Sequence, residues 1–392
     1  MNAGSAGVRR WTERFVLTSA AFFVAYLISI VVPTDPHVPA LLALFGFVCP
    51  MIFGMGYLLL PAYVGRTLVD HRRPGVHFVF AYLGVGALVV GRAFAVDAVF
   101  ASGAVFWSLG VAVFLGSLLF TVGPVLAAER LDVVRRGDGP QRSTKLATLA
   151  IPISLSYLVV GTVALLGTAG IHGYGARTLP AVVHYHAIGF GALLIFALSA
   201  RLLIGFFHVT PPRYLVWLTL VTGAVAPLLL GTYLWIDPWF TVGAGFALVA
   251  MVGYLLLVSV VVARAERRRP GLVGVFLGAI SGTIAVTVSA AVAFEAGSAN
   301  AISIHGAFIL GGFFPLTIVG YAVLFFPVTS GPYVGASRRG VLAIIGLLAV
   351  GVLSNGVGIA IGSTAAQLVG VTVSILGAVG YVYLVAYRFL GG

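Results

Sequence analysis

The chain has 392 residues, 60 % of them hydrophobic and 8 % charged, with a formal net charge of +12 and a mean hydropathy of +1.12. A soluble domain carries roughly 25 % charged residues, so this chain cannot cover its own surface in water, and a bilayer must solvate most of it. Its apolar runs are continuous, as in Val341–Ile361, whereas the strands of a membrane barrel alternate apolar and polar residues over about ten positions. With no water in the hydrocarbon layer to satisfy backbone groups, helices remain.

About 20 apolar residues rising roughly 1.5 Å each cross a hydrocarbon core of about 30 Å. That rule divides the chain into about twelve spans, a single transmembrane domain over residues 1–392. Arg9, Arg10 and Arg14 precede the first, near 14–33. No small-residue cleavage site follows, so Phe15–Val32 reads as a retained helix and not a removed signal peptide. The next spans fall near 39–63, 76–94, 98–126, 145–168, 180–207, 214–235, 239–263, 271–294, 302–327, 340–361 and 365–389. Turn-formers separate them: Pro33 and Pro36, Pro74-Gly75, Gly137 to Pro140, Pro211-Pro212, Asp237-Pro238 and Ser330 to Pro332. The lone cysteine, Cys49, excludes an internal disulfide and a multi-cysteine metal cluster.

Basic residues orient the spans. One side takes Arg9, Arg10, Arg14, Arg66, Arg72, Arg73, Arg130, Arg135, Arg136, Arg142 and Lys145, then Arg213, Arg264, Arg267, Arg268, Arg269, Arg338, Arg339 and Arg388. The other takes only Arg92 and Arg177, and Arg201 falls inside a span. By the positive-inside rule both termini are cytoplasmic, in what is expected to be a prokaryotic cell membrane. The charge therefore anchors helices at the inner leaflet and marks no nucleic-acid partner.

Three spans, separated by three helices each, resemble one another. The second carries Pro39, Gly46, Pro50, Gly54 and Gly56; the sixth His184, His186, Gly189 and Gly191; the tenth His305, Gly311, Gly312 and Pro315. Four-helix units used three times predict a ring with approximate threefold symmetry about the membrane normal. Histidine is costly inside a membrane and is a functional candidate there. His71, His77 and His208 are expected at solvated cytoplasmic ends and His172 in an outer loop. His184, His186 and His305 share one depth, in the outer third of inward-running spans. The matching position in the second span is near Ala40, with His37 one turn earlier. Residues two apart on a helix point about 200° apart, so His184 and His186 face opposite ways and do not readily share one metal. They serve either two sites, or one ligates while the other is structural.

The second span, with Leu44 to Phe47, Pro50, Gly54 and Pro61 to Gly65, resembles the second helix of haem–copper oxidase subunit I, and the His184-Tyr185-His186 pair is similar to a His-x-His of that family. The sixth span, His186-Ala187, Gly191, Ala200-Arg201, Gly205 and His208, resembles more closely the NnrS family of twelve-helix haem- and copper-associated proteins linked to nitric oxide stress. The likeness covers about a fifth of the chain. It implies a haem, of b type, between the sixth and tenth spans, with His305 as one axial ligand and His186 or His184 as the other. His37 is a further candidate, Phe190, Phe313 and Phe314 would pack on the ring, and copper is admitted.

The oxidase histidine of the second helix would fall near Ala40, and no His-Pro-Glu-x-Tyr motif or adjacent histidine pair is present. No carboxylate or lysine lies mid-span to carry protons. Any enzyme activity is thus expected to be an oxidoreductase's, but not a proton-pumping terminal oxidase's. Arg201, about 22 Å inward of His186 by helical rise, is expected to snorkel to the inner surface. Asn355, Ser154, Ser156 and Tyr157 are expected to join helices by hydrogen bonds. The leading expectation is a haem-binding membrane protein in the metabolism of, or response to, nitric oxide or another small gas, served by the lipid bilayer and a respiratory electron donor. Two alternatives stand beside it. Repeats and helices interrupted near Pro50 or Pro315 also suit a secondary transporter or channel, and a third reading is an assembly partner of a respiratory complex.

Overall fold

The structure, a computed structural model, describes residues 3–128, 140–173, 177–267, 269–329 and 331–390. Arg130, Arg135, Arg136, Arg268, Ser330 and the turn at Gly137 to Gly139 lie outside them. The described residues contain twelve helices long and apolar enough to cross a membrane: α1 (Ala6–Val31), α2 (Val38–Ala62), α3 (Arg73–Ala93), α4 (Asp97–Pro124), α5 (Thr144–Thr168), α6 (Leu179–Phe207), α7 (Arg213–Thr232), α8 (Trp239–Arg264), α9 (Pro270–Ala293), α10 (Ala301–Phe325), α11 (Arg338–Ala360) and α12 (Thr364–Leu390). The chain is an all-α, multi-pass membrane protein. Prolines at the first turn open several of these helices, where the missing N–H has no partner to lose: Pro74 in α3, Pro180 in α6 and Pro270 in α9. His208 ends α6 in the left-handed conformation at φ 56°, and its N–H closes on the Ile204 carbonyl at 2.8 Å.

Burial separates two classes of helix. In α2, α6 and α10, 83 %, 72 % and 83 % of the most apolar stretch is buried, against 39–56 % in the other nine. Those three are the core, and the other helices turn one face to lipid. Neighbour contacts run α1–α3–α4–α5–α7–α8–α9–α11–α12 and back to α1, a closed ring around α2, α6 and α10. This adjacency is what successive four-helix units require, each giving one inner and three outer helices. The threefold rotation between units remains an expectation of the repeat.

The inner helices share a second feature. Each widens into a π-helical segment: Leu42–Val48 in α2, Tyr185–Ala192 in α6 and Ile309–Phe313 in α10. Pro50 and Pro315 lie at the start of the α-helical stretches that follow. Proline has no N–H and collides with the carbonyl one turn back, so the ladder is re-registered just ahead of it, and the helices continue where an interruption was expected. Carbonyls in or beside two of these segments also accept hydrogen bonds from hydroxyls on neighbouring helices. Ser154 Oγ donates to Phe190 O at 2.9 Å, and Ser281 Oγ to Phe308 O at 2.8 Å.

Candidate functional site

A cavity of about 560 Å³ opens at the end of the bundle where α2, α6 and α10 begin. His184 of α6 and His305 of α10 line it, as do His37 and Ala40 at the start of α2. The three repeat-related helices thus contribute corresponding positions to one chamber, with Ala40 standing where the other two carry imidazoles. Phe196, Met251, Phe313 and Phe314 form its deeper apolar wall.

The His184 and His305 rings are near-parallel, 10° apart in plane, with centroids 6.5 Å apart. His184 Nδ1 lies 2.7 Å from the Pro180 carbonyl oxygen and His305 Nδ1 lies 3.1 Å from that of Ala285. A carbonyl only accepts, so each Nδ1 carries the proton and each Nε2 keeps its lone pair. Two imidazoles held in line on one metal, with metal–nitrogen bonds of about 2 Å, put their centroids about 6 Å apart. The backbone carbonyls fix tautomer and ring orientation as second-shell partners do in metal sites. Among the described residues no group of three or more His, Cys, Asp or Glu is placed to hold a metal ion. The donor set is two imidazoles, which leaves the other positions of any metal to be filled by something else.

His186 is not part of this pair. It turns to the far side of α6, against Phe45 at 4.8 Å and Trp107 at 6.2 Å between ring centroids, and is fully buried. Its Nδ1 bonds the Val182 carbonyl at 3.0 Å, while its Nε2 is sealed without a partner. Gly161 of α5 makes this possible, since a Cβ there would lie 2.6 Å from the His186 ring. Of the alternatives left open for His184 and His186, the structure sets His184 beside His305 and packs His186 away from the cavity, in keeping with the 200° helical offset.

Other expectations are corrected. His77 is not solvated: it is fully buried among Phe15, Phe53 and Phe114, and its Nδ1 pairs with Tyr57 Oη at 3.0 Å. His71 and His208 are exposed and His172 is half-buried. Phe190 lies off the cavity, packed on Phe53 at 5.5 Å, whereas Phe313 and Phe314 line it. His37 stands at the mouth beside Asp35, Nδ1 to Oδ1 3.0 Å, and Asp35 pairs with Arg92 at 3.1 Å. Burial raises the Asp35 pKa, but hydrogen bonds from the His37 backbone and ring and from Arg92 outweigh it, and the carboxyl titrates below its ordinary range.

Two residues of the chamber escaped the sequence reading. Tyr26 of α1, 3 % exposed, lines it although nothing in the spacing of α1 distinguishes this tyrosine. Asn355 of α11, read as a helix-joining group, also faces it, and no side-chain hydrogen bond holds it to another helix among the described residues. Ser154 and Tyr157 do join helices, Tyr157 Oη donating to the Ala224 carbonyl at 2.5 Å, while Ser156 bonds within its own helix to Ile153 O. Compared with protein-family models and with curated proteins, the chain matches none.

Proposed function

We propose that this chain is a haem-binding membrane protein that holds the cofactor across α6 and α10 through His184 and His305. On this reading it acts in the metabolism of, or response to, nitric oxide or another small gas, as its resemblance to the NnrS and haem–copper oxidase families implies. One observation carries the proposal: two tautomer-fixed imidazoles lie parallel at 6.5 Å across a cavity of about 560 Å³. Two protein donors suit a metal whose remaining positions are filled by a macrocycle, and the volume lies within the range of about 300–1,000 Å³ for ligand sites. Bound haem supplies a one-electron couple and an iron that takes a diatomic ligand when an axial position is free.

The chain's own residues do the rest. The Pro180 and Ala285 carbonyls hold the imidazoles by their Nδ1 protons. Phe196, Met251, Phe313 and Phe314 exclude water from the inner wall. The lipid bilayer, a respiratory electron donor, a prokaryotic location and cytoplasmic termini belong to the same proposal, supported by the apolar spans and the distribution of arginines. The test is an absorption spectrum with iron and copper analysis of the purified protein. A Soret band is expected, lost in His305→Ala, with a shift on adding carbon monoxide to the reduced protein if a gas displaces one imidazole. A colourless, iron-free protein of unchanged stability rules the reading out.

The second reading, a transporter or channel, has its own observation. A smaller cavity of about 80 Å³ lies farther along the same three inner helices, lined by Met51, Met55, Leu194, Leu198, Thr317 and Ile318. Solute flux in liposomes from an iron-free preparation supports that reading in place of the first.

A further inference from the structure

Arg201 sits within α6, six residues before its end, and does not snorkel free. Its Nη1 donates to Thr148 Oγ1 of α5 at 2.6 Å, and its guanidinium stacks 4.1 Å from the ring centroid of Tyr63, just past the end of α2. Both partners are uncharged. Three residues before Thr148, Lys145 has its Nζ buried without a hydrogen-bond partner, and the Tyr63 hydroxyl is buried and unpartnered too. The ion pairs on Arg9, Arg73, Arg92 and His37 lie elsewhere. Arg201, Thr148 and Tyr63 therefore meet where α2 ends and α6 approaches its end, Lys145 lies one turn before Thr148 on the same face of α5, and no ion pair among the described residues joins a carboxylate to any of them. Removing a cation from water without a counter-charge is costly.

We propose that Arg201, Lys145, Tyr63 and Thr148 form a binding site for a phosphate-type oxyanion at the end of the bundle opposite the histidine cavity. A planar guanidinium with a flanking ammonium and hydroxyl matches the several acceptor oxygens of a phosphate. The anion comes either from an anionic lipid headgroup, since basic pockets between membrane helices recognise such groups, or from soluble phosphate. The site is independent of haem: no residue in it lines the large cavity.

The experiment uses the full chain in mixed micelles of phosphatidylglycerol and phosphatidylcholine, with bound lipid counted after gel filtration and thermal stability read in parallel. Wild type should retain phosphatidylglycerol over phosphatidylcholine. That preference should fall about tenfold or more in Arg201→Gln, since charge-assisted hydrogen bonds are lost, and should fall in Lys145→Gln. Tyr63→Phe, which keeps the stacking ring, should weaken it less. If inorganic phosphate instead raises the melting temperature and displaces the lipid, the anion is soluble phosphate and the site stands. No response to either probe in wild type, or an undiminished response in both Arg201→Gln and Lys145→Gln, overturns the proposal. The Soret band is unaffected by any of these variants, so failure here and failure of the haem reading are told apart.

Discussion

His184 and His186 are the same residue type two positions apart, and their surroundings give them different chemistry. One lines a cavity with its ring parallel to that of His305, and the other is walled in by Phe45, Trp107 and the space that Gly161 leaves. His184→Ala and His305→Ala are therefore expected to abolish haem retention, whereas His186→Ala keeps the spectrum and lowers only thermal stability. A spectrum lost in His186→Ala and kept in His184→Ala would reverse the assignment. Asp35 offers a pH test at the cavity mouth. Its folded-state pKa is depressed, so its contribution is intact above the ordinary aspartate value of about 3.9 and is lost as pH falls through the folded value. Asp35→Asn should flatten the fall of melting temperature with acidification below about pH 4 and leave the neutral plateau otherwise unchanged in shape.

Among the elements, the π segments of α2, α6 and α10 are where backbone, packing and site coincide. Ser281 supports the one beside His305 by bonding the Phe308 carbonyl. Ser281→Ala removes that buried hydrogen bond and should cost about 0.5–1.5 kcal/mol, seen as a lower unfolding midpoint in detergent and looser haem binding. Close approach of α5 to α6 rests on Gly161, where an added Cβ would meet His186 Nδ1 and Cε1 at 2.6 Å. Both helices are fixed by their other neighbours, so Gly161→Ala should destabilise by about 1–3 kcal/mol through overpacking. An unchanged midpoint would show that the helices can separate freely. The prolines after the segments in α2 and α10 were visible in the sequence as interruptions. That the chain answers them by widening a turn depends on which neighbours pack beside it, and residue spacing carries no record of that.

For the whole molecule, an even number of spans would put both termini on one side of the membrane, and the arginine distribution predicts that this side is the cytoplasm. Reporter fusions at each end should both be active inside, and opposite results would mean that one of the twelve helices does not cross. Cys49 is fully buried, so a membrane-permeant maleimide should label it only after unfolding. Composition and hydropathy alone determined the membrane class and the helix count, because a bilayer imposes length and apolarity on every crossing segment. The repeat in the second, sixth and tenth spans also pointed to the helices that line the cavity. Only the tertiary structure decided which histidine faces which, that His77 is buried, that Tyr26 and Asn355 reach the chamber, and that Arg201 rests on Tyr63. Those outcomes depend on the rotation of each helix about its own axis. In a chain that is apolar on every face, no polar stripe records that rotation, and it emerges only when the helices pack against one another.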